Sequence, residues 1–124
     1  MQIGCGTDII EIDRIKESIE QLGEKFINRI YTKNEIQYCE SKHAQKYQHY
    51  AARFAAKEAV LKAISNHLNS KYDIQWTDIE ILNNTMGKPL VNLEKIKIPE
   101  LEQCDISLSH CKLYAVANVC AIFN

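Results

Sequence analysis

The sequence predicts an α+β protein in which an antiparallel sheet packs against one long central helix. Three observations carry this expectation. Gln45 to Leu68 contains neither Gly nor Pro and is rich in Ala, Lys, Glu and Leu, all good helix formers. Cys104 to His110 alternates, and Tyr114 to Phe123 runs apolar, with a turn near Cys111-Lys112 between them, which is the pattern of two strands. The order along the chain is a strand, then helices, then a run of strands, as in an α+β domain. The 124 residues suit one domain spanning 1–124.

The elements follow in order. Ile3, Cys5 and Thr7 alternate with Gly4, Gly6 and Asp8, which reads as a strand whose glycine face another backbone or a ligand approaches closely. Asp13 is the expected N-cap of a helix carrying Ile15, Ile19 and Leu22, and Gly23 is its stop. Arg14, Lys16 and Glu17 then face solvent. Phe26, Ile27 and Ile30 suggest a further helical turn. Thr32 and Glu35 have capping-box spacing, so a helix from about Lys33 to Lys42 follows. Asn69 to Asp73 reads as loop, Trp76 to Leu82 as a strand, Asn83 to Pro89 as a turn and Leu90 to Leu93 as the returning strand. Pro99 breaks what precedes it.

Composition bounds the function. The net charge of −1 argues against general nucleic-acid binding, which wants a basic excess. Met1 to Gly6 lacks a basic segment followed by an apolar run, so no signal peptide is expected. The longest apolar-rich run, Tyr114 to Phe123, is about half of what a membrane-spanning helix needs. Five cysteines, an odd number with no C-x-x-C spacing, read as free thiols in a reducing cytoplasm. Neither His110-Cys111 nor His43 with His49 finds a second ligand pair at zinc spacing.

The long helix holds the first chemical signal. At about 100° per residue, Phe54, Leu61, Ser65 and Leu68 share a narrow face. Glu58 lies among them, with Lys62 at the edge. A carboxylate beside an apolar stripe is costly unless something positive meets it. Two readings stay open: a salt bridge to Lys62, or Glu58 holding a divalent cation while Lys62 holds a phosphate. Asp8 is likewise either a turn residue or a metal-binding carboxylate. Magnesium uses one or two protein carboxylates with substrate phosphates and water, which suits Asp8 and Glu58. Arg53, Lys57, Lys62 and Lys88 are candidate phosphate contacts. The Gly87-Lys88-Pro89 turn is placed to offer backbone N–H groups. There is no Walker loop or dinucleotide fingerprint. His110 sits at a strand end, where a side chain reaches a cleft.

Taken together, Gly6-Thr7-Asp8-Ile9 with Arg14, Arg53-Phe54-Ala55-Ala56-Lys57-Glu58-Ala59 with Lys62-Ala63, Asp78-Ile79-Glu80-Ile81, Gly87-Lys88-Pro89, and Ile106-Ser107-Leu108-Ser109-His110 with Tyr114-Ala115 closely resemble the holo-acyl-carrier-protein synthases. These are the small, single-domain 4′-phosphopantetheinyl transferases, and the resemblance runs from Met1 to about Val119. It implies that family's fold. It implies transfer of 4′-phosphopantetheine from coenzyme A to a serine of apo-acyl carrier protein, with release of adenosine 3′,5′-bisphosphate. It implies Asp8 and Glu58 as magnesium ligands and Lys62 as a neutraliser of the coenzyme A pyrophosphate. Glu58 or a metal-bound water would take the serine proton. Arg53, Gly87, Lys88, Pro89 and His110 resemble contacts to the nucleotide part of coenzyme A. Arg14 matches a contact to the acidic carrier protein, and Lys16, Lys25 and Arg29 would extend that basic face. A homotrimer is implied, with Asp8 and Glu58 from one subunit and His110 and the turn after Ile81 from its neighbour. Cys5 stands where the family has an aliphatic residue, Asp13 places an acid beside Arg14, and Ser65 to Asp73 replaces a Gly-Thr-Gly-like turn. Two other functions use the same residues: a magnesium-dependent hydrolase of a pyrophosphate bond in a coenzyme A-like nucleotide, and a silent protein that binds coenzyme A or a carrier.

Overall fold

The first strand of the chain pairs with the last. In the computed structural model, which describes residues 1–70 and 73–124, β1 (Gln2–Glu11) lies antiparallel to β5 (Tyr114–Phe123), in register from Gln2↔Phe123 to Glu11↔Tyr114. β4 (Leu101–His110) pairs with the other edge of β5, giving the order β1-β5-β4. β2 (Glu80–Asn83) and β3 (Pro89–Asn92) form a separate two-stranded ribbon. The helices α1 (Ile12–Leu22), α2 (Glu24–Ile30) and α3 (Lys33–Glu40) lead to α4 (Lys46–Ile64), which packs on β1 and β5.

The expected α+β architecture with a sheet on a long helix is thus the architecture found. Glycine explains how closely the two meet. A Cβ on Gly6 would stand 2.8 Å from the Ala59 carbonyl carbon and nearer still to its oxygen, and one on Gly4 would overlap the Ala63 carbonyl. Alanines complete the contact from the other side. Ala55, Ala56, Ala59 and Ala63 are buried with Val60 and Ile64 against Ile106, Ala117, Val119 and Phe123. A second core lies at the other end of α4, where Ile12, Ile15, Ile19, Ile30 and Cys39 close on Tyr50, Ala51 and Ala52. Each fully buried isoleucine contributes about 1.5–3 kcal/mol of transfer free energy.

Local signals set most of the boundaries. Gly23 adopts φ 60° after α1, and its N–H donates to the Ile19 carbonyl. The Thr32–Glu35 capping box is formed as expected. Several expectations need correction. Asp13 is not the N-cap; α1 starts at Ile12 after Glu11 with no side-chain cap, because β1 runs straight into it. Asp8 consequently lies inside β1. α3 stops at Glu40 rather than Lys42. α4 tightens into a 3₁₀ turn at Ser65–His67 before Leu68. Trp76–Asp78 is a 3₁₀ turn, held by Asp78 accepting from the Gln75 N–H, so the strand begins only at Glu80. The expected loop Asn69 to Asp73, and with it the Ser65 to Asp73 segment, includes Lys71 and Tyr72, which lie outside the described residues.

The buried face of α4 is also not the one that hydropathy suggested. Phe54, Glu58 and Leu61 are half-buried at its rim, while the alanine face is fully covered. Alanine contributes little hydropathy, but it lets backbones approach, and here β1 needs that approach.

Candidate active site

β1 and α4 together carry the carboxylates. Because the glycines of β1 seat it on α4, Asp8 emerges beside the helix. Asp8 and Glu58 line one cleft, with Arg14, Phe26 and Phe54 around them. Lys62 Nζ lies 3.3 Å from Asp8 Oδ1 and donates to the Thr7 carbonyl at 2.9 Å. The sequence left Lys62 open between a salt bridge to Glu58 and a phosphate contact; in the structure its ammonium lies beside Asp8. Glu58 also lines a second, more apolar cleft with Leu61, Ile74, Trp76 and Ile79. The rings of Phe54 and Trp76 stack at 4.9 Å, one from each cleft. Glu58 therefore faces both spaces.

Arg14 was expected to face solvent from the first helix, and it is exposed there. It lines the same cleft as Asp8 and Glu58, because α1 turns back from the end of β1. Lys57 was expected to contact phosphate. It is wholly buried, 2.7 Å from Glu35 Oε1, and so is out of reach of any ligand. Burial holds its ammonium pKa below the usual lysine range, and the Glu35 carboxylate acts the other way.

A second group of side chains gathers around Arg53. Arg53 is buried, donates to Asn83 Oδ1 and lies 4.1 Å above the Tyr38 ring. Its Nε has no hydrogen-bond partner among the described residues. Asn83 in turn donates to the Gly87 carbonyl at 3.1 Å, so Arg53 props the β2–β3 turn. Gly87 has φ 84°, which favours glycine. The turn's donors point inward: the Met86 and Lys88 N–H groups both bond Asn84 Oδ1 at 2.9 Å, and the Gly87 N–H bonds the Asn84 carbonyl. The expectation that these N–H groups meet a ligand is not met in this arrangement. Lys88 reaches across to Asp105 on β4 at 3.3 Å, and Pro89 opens β3. His110 is exposed, with its ring 6.2 Å from His49, whose ring lies 5.5 Å from Tyr38.

Sequence reading missed Tyr38 and Asn83 and weighed His49 only with His43 as a zinc pair, since no local pattern marks a residue that matters through a distant neighbour. Burial, then Arg53, Lys42 and His110, lowers the His49 pKa from 6.5 to about 4. The unfolded chain therefore binds a proton here that the folded chain refuses between those values. Stability should be fully present above about pH 6.5 and should fall as pH drops toward 4. His49→Gln should flatten that part of a urea-midpoint against pH curve; an unchanged curve would refute the assignment.

Two carboxylates in one cleft suit a hard cation that takes its remaining ligands from phosphate and water. Among the described residues no group of three or more His, Cys, Asp or Glu gathers to hold a metal. No described helix is long and apolar enough to cross a membrane.

Comparison with known proteins adds to this geometry. The family model of the 4′-phosphopantetheinyl transferase superfamily matches residues 4–119. A holo-[acyl-carrier-protein] synthase of Ruminiclostridium cellulolyticum is 50% identical over 123 residues, covering 94% of this chain and 90% of that protein. One from Protochlamydia amoebophila is 44% identical over 119 residues, covering 94% and 95%. Among solved structures, a Bacillus anthracis holo-(acyl-carrier-protein) synthase in complex with CoA (3′,5′-ADP) superposes with a TM-score of 0.77 at 34% identity, over 98% of this chain and 96% of that one. The Helicobacter pylori synthase in complex with coenzyme A gives 0.82 at 29% identity, over 94% and 98%.

Proposed function

Because the chain belongs to the 4′-phosphopantetheinyl transferase superfamily, we propose that it transfers 4′-phosphopantetheine from coenzyme A to a serine of apo-acyl carrier protein. The observation that carries this most directly is the cleft shared by Asp8, Glu58 and Arg14 beside Lys62. The serine oxygen attacks the phosphorus that bears the pantetheine arm. The bond from that phosphorus to the bridging oxygen breaks, and its electron pair leaves with adenosine 3′,5′-bisphosphate.

Asp8 and Glu58 would hold a magnesium ion, which supplies charge stabilisation for the phosphoryl group and leaving phosphate. Lys62 adds a positive charge within reach of the same cleft. Glu58, facing both clefts, is the chain's own acceptor for the serine proton. Arg14, exposed on α1, meets the acidic carrier protein at the mouth of the Asp8–Glu58 cleft. Lys88 and His110, both exposed, contact the nucleotide part of coenzyme A, and the buried Arg53 supports the Gly87-Lys88-Pro89 turn through Asn83.

The working form is a homotrimer with each site between subunits. Two observations support this. Neither cleft beside Glu58 is lined by Lys88 or His110. The outer face of the three-stranded sheet exposes Ile3 at 65% and Ile9 at 63%, with Cys5 and Cys120 between the strands, and a neighbour would cover it. The five free thiols suit the cytoplasm.

The test is to incubate the protein with coenzyme A, magnesium and apo-acyl carrier protein, and to weigh the carrier by mass spectrometry. A gain of one phosphopantetheine on its serine is expected. Cleavage of coenzyme A that proceeds equally without the carrier would instead show a hydrolase of the pyrophosphate bond.

A further inference from the structure

We propose that Lys57 is a positioning residue for the Glu58 site: its buried pair with Glu35 clamps the segment from Trp76 to Ile79 against α4, where that segment walls the cleft beside Glu58. The inference rests on the transferase reading for its kinetic consequence, and on geometry alone for the clamp.

Both side chains of the pair are fully buried. Replacing a buried ion pair with apolar groups is often neutral or stabilising, so stability alone does not account for this one. What the pair does instead is tie four elements at one point. The three ammonium hydrogens of Lys57 are matched by three acceptors: Glu35 Oε1 at 2.7 Å, the Ile79 carbonyl at 2.6 Å and the Trp76 carbonyl at 3.1 Å. Glu35 Oε1 also accepts from the Thr32 N–H at 2.8 Å, and Oε2 accepts from the Ile81 N–H at 2.9 Å. The start of α3, the middle of α4, the 3₁₀ turn and the first residues of β2 are thereby fixed to one another.

The turn needs this help. Trp76–Asp78 is a single 3₁₀ turn, closed by bonds of 3.0 Å and 3.3 Å from the Asp78 and Ile79 N–H groups, and so short a piece has little stability of its own. Yet it carries Trp76, which stacks on Phe54, and Ile79 follows it directly; these with Leu61 and Ile74 bound the cleft that Glu58 faces. Lys57 precedes Glu58 on the helix, so one helical turn presents the carboxylate while its neighbour fixes the opposite wall.

The experiment uses two variants, Lys57→Met and Lys57→Met with Glu35→Gln. The second removes both charges and keeps an acceptor for the Ile81 N–H, so it should unfold at a higher urea concentration than the first. Trp76 is the sole tryptophan, so its fluorescence reports the clamp directly. In folded variants the emission should shift to the red and become more open to acrylamide quenching. The kcat for loading the carrier, at saturating coenzyme A and magnesium, should fall by about 100-fold, the order of loss for misplaced groups at a site. KM for coenzyme A should change less than kcat. Unchanged Trp76 emission overturns the clamp. Altered emission with kcat within a few-fold of wild type overturns the positioning role. Failure of both variants to fold would show that the pair supports the whole domain and would refute the proposal. If wild-type protein does not load the carrier, the transferase reading fails, and the fluorescence still decides the clamp.

Discussion

Asp8→Ala and Glu58→Ala should each lower carrier loading by about 100-fold or more, the scale seen when a group stabilising transition-state charge is removed. Neither change should unfold the protein. Glu58 is half-buried on the rim of α4, outside its alanine face. Asp8 makes its ion pair with Lys62, whose side chain is 53% exposed. Solvent screens such a pair, and its loss costs about 1 kcal/mol or less. Urea unfolding therefore separates the two effects: a midpoint near wild type with lost turnover is the expected result. Activity within a few-fold of wild type at saturating magnesium would reject the metal-ligand assignment. Glu58→Ala also addresses assembly. Glu58→Ala and His110→Ala chains, dissociated and reassembled together, should regain part of the activity if each site is built from two subunits, because some interfaces then carry neither lesion. A monomer by light scattering at working concentration would sink the shared-site arrangement.

Gly6→Ala should be severely destabilising despite adding one methyl group. The new Cβ would meet the Ala59 carbonyl carbon at 2.8 Å and the Ala63 nitrogen at 3.0 Å, with the Ala59 oxygen closer than either. All three are backbone atoms of α4, so no rotamer change relieves the overlap. The strand must lift from the helix, at a cost of about 3 kcal/mol or more, the upper end for overpacked cores. Lifting β1 also carries Asp8 away from Glu58. Loss of activity is thus expected even in the fraction that stays folded. Gly23→Ala serves as a control of a different kind: nothing lies within 4 Å of its Cβ position, and its cost comes only from φ 60°. A urea midpoint for Gly6→Ala equal to wild type would mean that β1 does not rest on α4 as described.

What was legible in the sequence was local. The helix content of α4, the stop at Gly23, the Thr32–Glu35 box and the pair β4–β5 all follow from propensities and spacings within a few residues. Asp8, Glu58 and Lys62 were also legible as candidates, as residue types in motifs that resemble a known family, and the structure brings them close together. The partnerships were not legible. Lys57 and Lys62 are the same residue type five positions apart on one helix, yet one is sealed on Glu35 and the other stands in solvent beside Asp8, a partner 54 residues away. Hydropathy placed the buried face of α4 on Phe54 and Leu61, whereas the face buried is alanine. Periodicity records how apolar a face is, and alanine barely registers, but the distance between β1 and α4 is set by having small atoms on both. That distance is a property of the packed pair. It brought Asp8 to Lys62, while the packing of α3 on α4 sealed Lys57 on Glu35 and the path of α1 put Arg14 in the cleft.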